Sequence, residues 1–95
     1  MWLWLTATAK AHATPQTIAA KRHQWLAQGK EAALASRCRF VKRYVVKGGD
    51  AQQVFWLVET DDREALSLIT NHFGDLWEIE VREVVPQAIA EAAGA

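Results

Sequence analysis

The sequence predicts an α+β domain of the ferredoxin-like type: a four-stranded antiparallel sheet with two helices on one face, in the order β-α-β-β-α-β. Three observations predict it. The stretch "FWLVETDDREAL", residues 55–66, changes period within two residues. Phe55, Leu57 and Glu59 alternate with Trp56, Val58 and Thr60 as in a strand, and Asp61 to Glu64 then opens a helix. "RCRFVKRYVVK", residues 37–47, and the strand after it flank the turn signal Gly48-Gly49-Asp50, which makes a hairpin. Each half of the chain pairs one helical pattern with two strand patterns. Two crossovers of the βαβ type joined by a hairpin give this sandwich.

The elements follow in order. Residues 2–8 alternate and read as a strand, with Trp2, Trp4 and Thr6 on one face and Leu3, Leu5 and Ala7 on the other. Thr14-Pro15 supplies a cap and a proline at the first helical position, which predicts a helix over 15–29. Ile18, Arg22, Trp25, Leu26 and Gly29 share its stripe. Residues 30–36 are Ala-rich and either extend this helix or stand apart from it. Strands are expected at 37–47 and 54–60. Asp61 as cap with Glu64 three residues on predicts a helix over 62–73, where Leu66, Ile69, His72 and Phe73 form the stripe and Gly74 the stop. Residues 76–85, "LWEIEVREVV", form the last strand. Pro86 ends it, leaving a tail over 86–95.

Ninety-five residues, 51% hydrophobic and 23% charged, make one small globular domain. Such a domain is marginally stable alone. The single cysteine, Cys38, allows no intrachain disulfide and fits a reducing, cytoplasmic setting. No apolar run reaches the roughly 20 residues needed to cross a bilayer. "MWLWLTATAKAHA" contains an Ala-His-Ala that imitates a signal cleavage site, but it lacks a positive start and its apolar core is interrupted by Thr6 and Thr8. Charge is zero overall and split along the chain. Residues 1–47 hold nine Lys/Arg against one acid, and residues 48–95 hold two against ten, so the halves carry +8 and −8. The split marks either a nucleic-acid arm or two surfaces that meet. Zero net charge and the absence of the RNA-recognition aromatic pattern on the third strand argue against nucleic acid.

Two helices cover only one face of a four-stranded sheet, and a one-sided sheet alternates apolar-in, polar-out. The inner strands do not. Trp2 and Trp4 oppose Leu3 and Leu5, and Trp56 and Val58 oppose Phe55 and Leu57. Each side chain left bare forgoes about 1.5–3 kcal/mol of burial, so a second sheet, that of another copy, is expected on the open face. On the two edge strands, Cys38, Phe40, Tyr44 and Val46 oppose Arg37, Arg39 and Arg43, while Trp77, Ile79, Val81 and Val85 oppose Glu78, Glu80 and Arg82. With the apolar sides toward the helices, Arg39 and Arg43 of one chain are expected to meet Glu78 and Glu80 of the other.

"VFWLVETDDREAL", and "FGDLWEIEVREVVP" after the intervening helix, resemble a family of small uncharacterised bacterial proteins, domain of unknown function three-three-zero-three. That family belongs with the dimeric α/β-barrel superfamily. The resemblance covers roughly residues 37 to 86. It implies the same sandwich and a homodimer, and it carries over no catalytic residue.

Candidate site residues are few. His23, in "KRHQWL", resembles a functional histidine of YCII-like barrel proteins, although a helix-face histidine explains it as simply. His72 stands where the second helix meets the last strand. Superfamily members place polar residues near such a pocket, but a histidine also complements a helix C-terminus. Trp4, Trp25, Tyr44, Trp56 and Trp77 either line a cavity for a small apolar or aromatic ligand or simply fill core and interface. A binding cavity there should reach about 300 Å³. His12, His23, His72 and Cys38 show no metal-ligand spacing, and no cofactor motif is present. The sequence thus predicts a homodimeric module of unknown biochemical function, either binding a small molecule or purely structural. The alternative is a cofactor-independent isomerase or oxygenase.

Overall fold

The computed structural model describes residues 1–49 and 52–94. Asp50 of the expected turn lies outside them. The order is β1 (Trp2–Ala9), α1 (Pro15–Ala27), α2 (Lys30–Ser36), β2 (Phe40–Val45), β3 (Gln53–Glu59), a 3-10 turn (Arg63–Leu66) running into α3 (Ser67–Phe73), β4 (Trp77–Val84) and α4 (Ile89–Gly94). The sheet is antiparallel with strand order β2-β3-β1-β4, the ferredoxin-like arrangement.

Local chemistry sets the boundaries. The Thr14 hydroxyl accepts from the Thr17 amide at 3.1 Å, and the Thr17 hydroxyl accepts from the Thr14 amide at 2.9 Å, a reciprocal cap. Gly29 adopts φ 70°, which separates α1 from α2 and decides that residues 30–36 form their own helix. β2 is shorter than expected because Arg37 and Arg39 are drawn off by aspartates. Arg37 Nη2 lies 2.6 Å from Asp62 Oδ2, and Arg39 pairs with Asp61. Asp62, rather than Asp61, caps the next helix, accepting from the Glu64 amide at 3.1 Å. Both oxygens of Asp61 accept from Arg39, whereas Asp62 gives only Oδ2 to Arg37 and keeps Oδ1 for the cap.

Leu3, Leu5 and Ala7 of β1 face the helices with Val54 and Val58 of β3, and Leu34, Leu66, Ile69 and Phe73 close the core from above. Trp2 and Trp4 therefore lie on the open face beside Phe55 and Leu57. β4 behaves as expected, with Trp77, Ile79 and Val81 inward and Glu78, Glu80 and Arg82 outward. β2 does not. Tyr44 pairs with Phe55, Lys42 with Leu57 and Phe40 with Glu59, so Phe40 and Tyr44 join the open face, while Val41, Arg43 and Val45 face the helices. The antiparallel register to β3 decides this. It is reinforced by ring contacts of Trp2 with Phe40 (5.5 Å) and of Trp4 with Tyr44 (6.4 Å) and Phe55 (5.5 Å). Among the described residues no helix is long and apolar enough to cross a membrane.

Candidate functional site

The helix stripe of α1 carries an arginine where a core residue is expected, and the consequence is a recess. Trp25 is the buried residue of α1, while Leu26 on the same side stays 62% exposed. The helix thus stands off the β2 side of the sheet. Beneath it opens a recess of about 150 Å³ lined by Arg22, Trp25, Leu26, Glu31, Arg43, Trp56 and Phe73. A second recess of about 140 Å³ lies toward the start of the helix, lined by Ala13, Pro15, Ile18, Arg22, Arg43, Gln52 and Trp77. Arg22 and Arg43 border both. Neither reaches the expected ~300 Å³.

The aromatic wall is held from behind. Trp25 donates its indole N–H to Glu31 Oε2 at 2.6 Å, tying α1 to α2. Its ring lies 5.3 Å from Phe73 and 5.5 Å, edge-on, from His72, and Trp56 lies 6.4 Å from Phe73. His72 is buried. Lys30 Nζ donates to its Nδ1 at 2.9 Å, and its Nε2 meets the Lys21 carbonyl at 2.7 Å. An ammonium has no lone pair, so Nδ1 accepts, and the ring is neutral with its proton on Nε2. Both nitrogens are occupied in joining α3 to α1 and α2. His23 is exposed on α1 and does not border either recess.

Charge in the recess is unbalanced. Desolvation by the recess walls, then the neighbouring Arg22, lower the Arg43 guanidinium below the usual arginine range, and Glu31 opposes the shift. Among the described residues neither arginine forms an ion pair with a carboxylate, in contrast to Arg37 and Arg39. Cys38 is half-buried, and that burial pushes its thiol up, away from the thiolate a nucleophile needs.

The five candidate aromatics separate into two groups. Trp25, Trp56 and Trp77 border the recesses, and Trp4 and Tyr44 belong to the open face. The expected interface residues separate as well. Glu78 and Glu80 lie outward on β4, but Arg43 faces the helices and Arg39 is held by Asp61 in its own chain. The cause is the register of β2, which turns its basic residues away from the open face and leaves Lys42 there instead. Sequence reasoning did not connect Arg22, Glu31 and Arg43 as one site. The available signal was Arg22 itself, a charge on the buried stripe of an amphipathic helix. No group of three or more His, Cys, Asp or Glu that could hold a metal occurs among the described residues.

The sequence profile of the family Domain of unknown function (DUF3303) matches residues 4–95. The chain belongs to this family. The match extends the likeness seen over residues 37–86 back through α2 and α1 into β1, so the elements that build the recess lie within the family domain. No curated protein matches this DUF3303 chain significantly. Solved structures similar to it include the protein At3g17210 of Arabidopsis thaliana, 13% identical, with 93% of this chain and 96% of that one covered at a TM-score of 0.51. An antibiotic biosynthesis monooxygenase is 17% identical, with 90% and 100% covered and a TM-score of 0.50. A candidate antibiotic biosynthesis monooxygenase from Deinococcus radiodurans is 13% identical, with 93% and 96% covered and a TM-score of 0.51. At these identities the likeness is one of fold, and the DUF3303 chain shares theirs over nearly its whole length.

Proposed function

We propose that the chain is a homodimeric binding module that holds a small molecule in the recess between its sheet and α1. The observation that carries this reading is the recess walled by Trp25, Trp56 and Phe73, in which Trp25, fixed by Glu31 and packed against His72, and Phe73 are buried and Trp56 keeps a partly exposed face. Concave, mostly aromatic and pre-formed walls with a few polar groups are the general character of ligand sites. The opposite face supports the dimer: Trp2, Trp4, Phe40, Tyr44, Phe55 and Leu57 lie together there, away from the helix-facing core residues, and Phe40 and Tyr44 are exposed. The free Cys38 supports a reducing, cytoplasmic setting.

A second reading, a cofactor-independent isomerase or oxygenase, draws on the names of two structures that share the fold. The acid–base groups of the recess support binding over catalysis. Its carboxylate, Glu31, already accepts from Trp25, and both nitrogens of the nearby His72 are bonded.

The test is a melting-temperature series with single-ring aromatics, flavin and haem. Single-ring compounds should raise the melting temperature of the wild type through preferential binding to the folded state. The rise should vanish in Trp56→Ala. Equal shifts in both proteins, or shifts with the larger ligands alone, would place binding elsewhere and remove the reading.

A further inference from the structure

We infer that the recess takes a small aromatic monoanion, its carboxylate or phenolate held between Arg22 and Arg43 and its ring laid against Trp25, Trp56 and Phe73. This inference rests on reading the recess as a ligand site and adds the chemistry of the ligand.

Charge supplies the first argument. Arg22 comes from α1 and Arg43 from β2, and both border the same two recesses. Three other arginines of this chain pair with a carboxylate: Arg37 with Asp62, Arg39 with Asp61 and Arg82 with Glu80. The recess pair has no such carboxylate among the described residues. The one acid beside it, Glu31, gives an oxygen to the Trp25 indole. Two guanidinium groups brought to one volume repel, and an anion between them relieves the repulsion. With two positive charges against the single negative charge of Glu31, one unit of charge is left to be matched, which suits a monoanion better than a polyphosphate. A guanidinium binds a carboxylate through two parallel N–H donors, so two of them also fix its plane.

Size and shape supply the second. Each recess is about half the roughly 300 Å³ at the lower end of sites for drug-sized ligands. That leaves room for one ring. Trp56, partly exposed in front of the buried Trp25 and Phe73, offers a flat indole face, which favours offset stacking with another ring over a flexible chain. Arg43 is a better anion partner for being desolvated, because attraction strengthens as water is excluded.

Benzoate, benzamide and benzylammonium present one ring with negative, neutral and positive substituents. Each is titrated at millimolar concentrations into the full-length protein, followed by tryptophan fluorescence and by the indole N–H resonances. Benzoate should bind at least about tenfold more tightly than benzamide, and benzylammonium most weakly. Added salt should shrink the benzoate preference without moving benzamide, a check that needs no variant. Arg43→Gln and Arg22→Gln should bring benzoate to the level of benzamide, Arg43→Lys should retain part of the preference, and Trp56→Ala should weaken both ligands. Equal affinity for benzoate and benzamide in the wild type overturns the anion assignment and leaves the recess as a site for neutral rings. No saturation with any of the three overturns the anion assignment and the ligand site together.

Discussion

Thr60 is 1% exposed at the point where β3 gives way to the turn before α3. Its hydroxyl donates to the Arg37 carbonyl at 2.8 Å and accepts from the Asp62 amide at 3.0 Å. One side chain thus secures the approach to β2 and the cap residue of the following turn. A valine would fill the same space and leave both backbone groups buried without a partner, which costs about 1–3 kcal/mol. Thr60→Val should therefore lower the stability measured by urea unfolding by that amount, while Thr60→Ser should cost less because it keeps both bonds. Equal losses would show that the methyl group, not the hydroxyl, matters. The "ETDD" run was legible as a junction from its change of period. Which aspartate caps was not, because Asp61 and Asp62 offer the same carboxylate and each takes an arginine; they differ in that Arg39 occupies both oxygens of Asp61 while Arg37 occupies one of Asp62.

Beside the apolar core, two aspartates tie neighbouring elements together and titrate. Lys21 of α1 meets Asp75, just before β4, at 2.9 Å, and that hydrogen bond holds the Asp75 carboxyl below its usual range. The Arg39 hydrogen bond does the same for Asp61. A carboxyl with a depressed folded pKa stabilises the fold fully above its unfolded value, and the contribution is lost as the pH falls through the folded value. Stability should therefore be level near neutrality and decline below about pH 4. In Asp75→Asn the decline should be shallower, with a lower plateau above it, as read from melting temperature against pH. An unchanged slope would assign the acid sensitivity to other carboxylates. At this scale α1 and the segment that forms the 3-10 turn and α3 were legible in the sequence, since Thr14-Pro15, Gly29 and Gly74 mark their ends. The β2 face was poorly legible. Val41 and Val45 alternate with Phe40 and Tyr44, so both sides of that strand are apolar, and counting arginines pointed the wrong way. Only the pairing of Tyr44 with Phe55 fixes the side. The recess was hidden for a related reason: Arg22 and Arg43 are far apart in sequence and meet only because β2 turns that face inward.

In the whole molecule, three of the nine basic residues of the +8 half meet acids of the −8 half within one chain, as Arg37–Asp62, Arg39–Asp61 and Lys21–Asp75. The charge split is therefore not, by itself, a signature of assembly. What calls for a second copy is the aromatic open face, and at its two edges stand Lys42 on β2 and Glu78 and Glu80 on β4. The wild type should sediment as a dimer at micromolar concentration. Tyr44→Asp should dissociate it by placing a charge among Trp4 and Phe55. Lys42→Glu should weaken it, and adding Glu78→Lys should restore part of the loss, since edge charges mainly set register and partner choice. A monomeric wild type would require another cover for that face.

β1 lies at the centre of the sheet, yet both its neighbours come late, Trp2 pairing with Glu59 on one side and with Val84 on the other. β1 thus leaves the ribosome before either of the strands that satisfy it. Pairings of such sequence separation carry a high closure entropy and slow the search for the native state. Until β4 arrives, "WLWLTATA" presents one unpaired row of amide and carbonyl groups between apolar side chains, an adhesive edge of the kind that joins one nascent chain to another. Translation that halts before residue 77 should thus yield aggregating chains rather than a smaller folded domain.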